Sequence, residues 1–278
     1  MKLFSKNVNL GPALRTSSWR KIALGTWQVM GDPSVYGTIE LDATHAVAYM
    51  NKIHQESGQR ITLSHFVGKA IATTLERHPE INCIIRFGRF YPRKTIDLFF
   101  QVANDSSGKD LSGLVIRDAN KKSMVDISKE MDGHIHTIRK KGDPDFKKMK
   151  STMGLIPGFI VGKIMNLVSF VTYTLNIWSP LIGSPKDPFG SVMITNIGSL
   201  GLETALAPLV PYSRVPCIVV LGALKEKPIV RDGQIVIAPM VTLSVTFDHR
   251  LVDGVHGSLM AQTLRKIFVQ PEKELSHS

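Results

Sequence analysis

Cysteine is scarce: Cys83 and Cys217 are the only two in 278 residues, and each sits in an apolar run. Reduced, buried thiols in a cytoplasmic protein are therefore expected rather than a disulfide framework. There is no Cys-x-x-Cys pair or Cys/His cluster, so no metal site is expected. The first ten residues, Met1 to Leu10, lack the apolar core of a secretory leader, and none is expected. Acidic residues are also short, with 23 Asp+Glu against 34 Lys+Arg and a formal charge of +11. That balance favours anionic partners. No nucleic-acid motif accompanies it, so nucleic acid is not expected. A phosphorylated cofactor or an anionic membrane surface fits the charge equally well, and a solvated basic face is the simplest reading.

Apolar residues are plentiful: 43% of the chain is hydrophobic, enough for a sizeable core in one large or two small domains. Residues 1–16 read as an arm with little periodicity. Gly37–Leu41 alternates like a strand, and Asp42 is placed to cap a helix over Ala43–Glu56 that ends at Gly58. Ser64 is placed to cap a second helix with Phe66, Val67, Ala70, Ile71 and Leu75 on one face, closed by His78-Pro79. Ile96–Ala103 reads as a central strand and Ser123–Met131 as a short helix. Beyond Gly190 the chain turns β-rich: Ser191–Thr195, Cys217–Gly222, Gln234–Ile237 and Val241–Phe247 read as strands, with a hairpin signal at Asp232-Gly233. A last helix spans Gly257–Phe268, before Pro271. Helices and strands interleave on one scale with no internal repeat, so one mixed α/β domain is expected over 17–278.

Two stretches stand apart. Arg139 to Lys150 carries six basic residues, and 153–183 is apolar with Lys163 as its only charge. The second is long enough for a crude membrane-span count. However, Asn166, Ser169, Thr172, Thr174, Asn176 and Ser179 dilute it and Pro157 and Pro180 bracket it, which argues against a bilayer span. Core or subunit-interface helices are the first reading, a wall of an acyl-chain pocket the second, and a membrane-surface contact the least favoured.

The candidate chemistry lies in Thr246-Phe-Asp-His-Arg-Leu-Val-Asp-Gly-Val-His-Gly257. His249 follows a strand and precedes a turn, where a reactive side chain can be exposed on rigid support. A neutral imidazole there can take a proton from a thiol or hydroxyl near neutral pH. Taken alone, a histidine near an aspartate is more often a simple hydrogen-bonded pair.

Three segments in order resemble the catalytic domain of the 2-oxo acid dehydrogenase dihydrolipoyl acyltransferases and their relative chloramphenicol acetyltransferase. They are Asp248-His-Arg-Leu-Val-Asp-Gly254, similar to the His-x-x-x-Asp-Gly signature; Val192-Met-Ile-Thr-Asn-Ile-Gly-Ser-Leu-Gly201; and Trp19-Arg20-Lys21. The similarity covers roughly residues 17–275. It implies a chloramphenicol acetyltransferase-like mixed β-sheet sandwiched with helices, in a homotrimer whose active sites lie between subunits. By the same resemblance His249 is the general base acting on the thiol of coenzyme A, and Thr195, from the neighbouring subunit, donates to the oxyanion. Asp253 is a brace paired with Arg20 rather than a proton acceptor. Gly254 is expected to allow a tight turn or close backbone approach, and His256 to pack or hydrogen-bond at a helix start.

The match begins near residue 17, so no lipoyl domain is expected ahead of it. Coenzyme A or acyl-CoA is therefore expected as substrate of a standalone acyltransferase, with no lipoyl group carried covalently and no metal. The long apolar stretch suggests medium or long acyl chains, since each buried methylene contributes about 0.8 kcal/mol. The competing readings are a small-molecule O-acetyltransferase and a non-catalytic trimeric lipid- or acyl-binding scaffold.

Overall fold

The computed structural model describes residues 4–15, 32–103, 111–141, 158–182 and 185–275. Its centre is a seven-stranded mixed sheet. Strands β5 (Leu98–Ala103), β8 (Val192–Asn196) and β9 (Cys217–Leu221) run parallel, while β6 (Leu111–Ile116) is antiparallel to β5. The long strand β11 (Gln234–Asp248) is antiparallel to β9, to β10 (Lys225–Arg231) and to β2 (Ser34–Asp42).

The sequence splits β11 at Ala238-Pro239, because a proline cannot donate to a ladder. The structure keeps it whole because its pairing changes there. β10 pairs with it up to Met240, β2 from Met240 onward and β9 from Leu243. The Pro239 carbonyl accepts instead from Ala43 N–H at 2.8 Å. Strand β10, Lys225-Glu-Lys-Pro-Ile-Val-Arg231, has too many charges and a proline to read as a strand. Its hairpin with β11 makes it one.

Helices α1 (Thr44–Ser57), α2 (Leu63–Arg77), α3 (Met124–Lys141) and α5 (Gly254–Val269) pack on one face of the sheet, and α6 (Pro271–Leu275) follows α5. The predicted face of α2 is fully buried, with Phe66 edge-on to Phe268 at 5.0 Å between centroids. Its cap is not Ser64. Thr62 caps it with His65 in a reciprocal box, and Ser64 instead accepts from Asn196 Nδ2 at 2.9 Å. Helix α1 begins one residue late, but Asp42 still accepts Thr44 N–H at 2.9 Å, and Gly58 ends the helix at φ 68°. Helix α3 runs ten residues past its expected end at Met131, through His-Ile-His-Thr-Ile-Arg-Lys-Lys141. Ser123 and Asp126 box its start.

The opposite face of the sheet is covered in part by the irregular chain around 205–215, which packs Ala207, Leu209, Val210 and Val215 on Ile218 and Val220. The apolar stretch forms helix α4 (Gly158–Ser169), a π-helical turn (Phe170–Thr174) and a two-residue strand β7 (Ile177–Trp178). No helix among the described residues is long and apolar enough to cross a membrane. The arm is docked: β1 (Ser5–Lys6) pairs with β7, and the Asn176 side chain brackets Val8, accepting from its N–H at 2.7 Å and donating to its carbonyl at 3.0 Å. The hairpin β3 (Cys83–Arg86) to β4 (Arg89–Pro92) lies beside the arm, with Gly11 N–H on the Pro92 carbonyl. Buried Arg93 holds Asp187 at 2.5 Å, and Arg117, bound to Asp97 at 3.1 Å, also donates to the Lys186 and Asp187 carbonyls, which staples the chain just past the apolar segment to the sheet.

Candidate active site

His249 is the first residue past β11. Its backbone N–H donates to the Pro33 carbonyl, and Asp248 N–H donates to Pro216, so the strand end is held from both sides. The Asp248 carbonyl accepts from Leu251 and Val252 N–H, both at 2.9 Å, which bends the chain into a tight turn. The Asp248 carboxylate takes Arg250 N–H at 3.0 Å, Nε at 2.9 Å and Nη2 at 2.6 Å, a bidentate brace across the turn. The turn returns the Val252 carbonyl to the imidazole, 3.0 Å from Nδ1. A carbonyl can only accept, so Nδ1 carries the proton and Nε2 is the basic nitrogen.

Asp253 caps α5, accepting Val255 and His256 N–H at 3.0 and 3.1 Å, and its carboxylate lies 2.6 Å from His256 Nδ1. His256 thus has the expected role at a helix start. Arg20 lies outside the described residues, so the expected Arg20–Asp253 pair stays an expectation. Gly254 needs neither a special turn nor close packing within the chain: its φ is not positive, and a Cβ there would meet nothing within 4 Å. The tight turn is made one step earlier, by the Asp248 carbonyl and carboxylate.

Thr195 lies in β8, between Gln101 of β5 and Val220 of β9. Its strand neighbours Val192 and Ile194 face the helices, which puts Thr195 on the other face. The chain beyond it is fixed by Asn196, which donates to Ser64 and accepts from Ser199 N–H at 3.3 Å. Gly198 and Gly222 let this turn approach the end of β9: a Cβ on Gly222 would lie 2.0 Å from the Glu203 carbonyl oxygen.

Thr195 and His249 do not meet within one chain. The register runs Thr195 to Val220 to Ser244, and His249 is five residues farther along β11. Two strand spacings and five residues of rise separate them by about 19 Å.

Sequence reasoning missed the Asp248–Arg250 brace and the Val252 carbonyl. The signal was an aspartate two residues before an arginine at a strand end. It also missed Arg214, which donates from Nε to Ser169 Oγ at 3.1 Å and lies close enough to Asp248 and Arg250 to feel both charges. Burial lowers the Arg214 pKa from its usual value. The end of α4 is therefore anchored beside the histidine turn.

The profile of the 2-oxoacid dehydrogenases acyltransferase (catalytic domain) family matches residues 26–146 and 188–276. The chain belongs to this family. The match omits 147–187, which contains α4 and the π-helical turn. A dihydrolipoyllysine-residue acetyltransferase component of the pyruvate dehydrogenase complex from Bacillus subtilis (strain 168) is 28% identical over 243 residues, or 84% of this chain and 44% of the relative. A dihydrolipoyllysine-residue succinyltransferase component of the 2-oxoglutarate dehydrogenase complex from Haemophilus influenzae is 27% identical, over 82% of this chain and 45% of its own. The chain thus spans less than half the length of these relatives. Among solved structures, a probable dihydrolipoamide acetyltransferase from Listeria monocytogenes superimposes with a TM-score of 0.64 at 18% identity, covering 94% of this chain and 95% of that one. A chloramphenicol acetyltransferase gives 0.54 at 14% identity over 92% and 100%. These likenesses establish the fold, a mixed sheet with helices of the chloramphenicol acetyltransferase kind.

Proposed function

We propose that the chain is a coenzyme-A-dependent acyltransferase working as a homotrimer, with each active site shared by two subunits. The observation that carries this is the pinned imidazole of His249, whose basic nitrogen is set by the Val252 carbonyl.

In the proposed reaction His249 Nε2 takes the proton of the coenzyme A thiol, and the sulfur attacks the carbonyl carbon of an acyl thioester. The C=O π pair moves onto oxygen, and the Thr195 hydroxyl of the neighbouring subunit donates to that oxyanion, a contribution of about 3 kcal/mol in the transition state. Collapse re-forms the carbonyl and expels the donor thiolate, which takes the proton back from the imidazolium. Run in reverse, the acyl group leaves coenzyme A for a thiol or hydroxyl acceptor. Asp253, the cap of α5, takes no proton; its pairing with Arg20 is part of the proposal.

The separation of about 19 Å between Thr195 and His249 supports a site completed by a second copy. The β10–β11 hairpin supports self-association as well: Val230 and Ile235 are directly opposed, and both they and Ile237 are more than 70% exposed. The anchoring of α4 beside the histidine turn supports a preference for medium or long acyl chains, to be read from turnover along an acyl-CoA series.

The test is subunit mixing. His249→Ala and Thr195→Ala are each expected to be nearly inactive in thiol release. Co-expressed, they are expected to recover about a quarter of the wild-type rate, because random cyclic trimers place an intact histidine beside an intact threonine in that fraction of sites. Mixtures no more active than the separate variants would overturn the shared site. Full activity of His249→Ala alone would overturn the acyltransfer mechanism.

A further inference from the structure

The catalytic reading leaves one feature unused. The segment that the family profile omits carries exposed apolar side chains on a face with no acidic residue. On α4 and the π-helical turn, Lys163, Leu167 and Phe170 share one helix face. The strip continues through Leu175, whose N–H donates to the Phe170 carbonyl, to Ile177, which is paired with Lys6 of the arm. Leu167 is 63% exposed, Leu181 80% and, beside β1, Phe4 60%. Elements that are hydrophobic on an outward face are covered by something.

An independent observation joins this face. Arg86 Nε donates to the Thr174 carbonyl at 2.8 Å, which ties the β3–β4 hairpin tip to the π-helical turn. At that tip Phe87 sits at φ 47°, 66% exposed, between Arg86 and Arg89. A bulky side chain in the left-handed region is disfavoured, and this one is too exposed to stabilise the core.

Charge identifies the occupant. The described segments that meet here, 4–15, 83–95 and 158–182, contain seven Lys+Arg and no Asp or Glu. They are joined by the pairing of β1 with β7 and by Arg86 on Thr174, and the rest of the chain holds 27 basic and 23 acidic residues. A second copy offers no acidic excess to complement them, and nucleic acid would leave the apolar strip uncovered.

We propose that this face docks on an anionic phospholipid bilayer. Phe4, Phe87, Leu167, Phe170 and Leu181 enter the boundary between headgroups and acyl chains, while Lys6, Lys163 and Arg89 meet the lipid phosphates. The contact lies on the surface, without a span: α4 has 12 residues.

Co-sedimentation of the full chain with phosphatidylglycerol–phosphatidylcholine vesicles tests this, with phosphatidylcholine alone as control, near physiological salt. Binding is expected only to the anionic vesicles. Leu167→Gln with Phe170→Gln is expected to weaken it about tenfold or more, and Lys163→Glu about fivefold or more. Phe87→Asn suits the left-handed backbone, so it is expected to keep or raise the Tm while weakening binding. Thiol release from acetyl-CoA in solution is expected to be unchanged in Phe87→Asn, which lies outside α4 and the histidine turn, and this separates failure of this proposal from failure of the catalytic one. No binding to anionic vesicles overturns the proposal. Binding insensitive to the apolar substitutions overturns it in favour of plain charge attraction. A changed oligomer mass in the Leu167/Phe170 variant overturns it in favour of a contact between copies.

Discussion

Replacing Asp248 by Asn should loosen the histidine turn without disturbing the strand that leads into it. The carboxylate accepts three donors from Arg250, and the pair is mostly withdrawn from water, with side-chain exposures of 21% for Arg250 and 9% for Asp248. Breaking a fully buried pair costs roughly 3–5 kcal/mol and breaking a surface pair about 1 or less. The partial exposure of Arg250 puts Asp248→Asn at about 2 kcal/mol. In a chain of this size that lowers the Tm by about 4–8 °C. Arg250→Gln should cost about 1 kcal/mol. A double-mutant cycle in urea should give a coupling of about 1.5 kcal/mol, which isolates this pair from other contacts of either residue. The same cycle read in thiol release should show the positioning role. The Asp248 carbonyl orders Leu251 and Val252, and Val252 orders the imidazole, so kcat should fall about tenfold with KM nearly unchanged. Coupling below about 0.5 kcal/mol, or unchanged kcat in a clearly destabilised variant, would refute the brace.

Thr195→Ala should lower kcat by about a hundredfold, the equivalent of one oxyanion donor, with little loss of Tm; a fall in Tm with kcat preserved would make Thr195 structural. Gly222→Ala should destabilise the fold by about 3 kcal/mol in urea titration, because a Cβ there would lie 2.0 Å from the Glu203 carbonyl oxygen. Lys69 is buried in α2, donates to the Asn120 and Lys122 carbonyls at 2.8 Å each, and burial lowers its pKa to about 8. The unfolded lysine keeps its proton up to about pH 10.5, so the unfolded state binds more protons between the two values and stability rises with pH in that window. Relative to Lys69→Met, wild type should gain about 1.5 kcal/mol from pH 8 to pH 9.5 and show little slope from this group below pH 7. Cys83 and Cys217 are fully buried, and burial pushes the Cys83 thiol up to about 12, so both should react with thiol reagents only at the rate of unfolding.

What could be read from the sequence followed the range of the interactions involved. The face of α2, the capping glycine Gly58 and the strand before His249 depend on periodicity and near neighbours. They appear in the structure where the pattern puts them. The missed features depend on partners far away in the chain. Strand β10 exists because β11 pairs with it, and Thr62 rather than Ser64 caps α2 because Ser64 is needed by Asn196, 132 residues away. The same limit applies to the site. Local pattern identified His249 as a side chain on rigid support. It could not supply the carbonyl that sets the tautomer, because that bond is made by the turn once Asp248 and Arg250 have closed it. Residues 153–183 were ambiguous for a related reason. Hydrophobicity says that a segment needs a cover but does not name the cover. Here the proposal rests on topology: β1 on β7 and Arg86 on Thr174 bring the acid-free arm, an arginine-flanked phenylalanine and an outward apolar strip next to one another. No single stretch of this sequence holds all three, so the proposed lipid contact has no local signature in the chain.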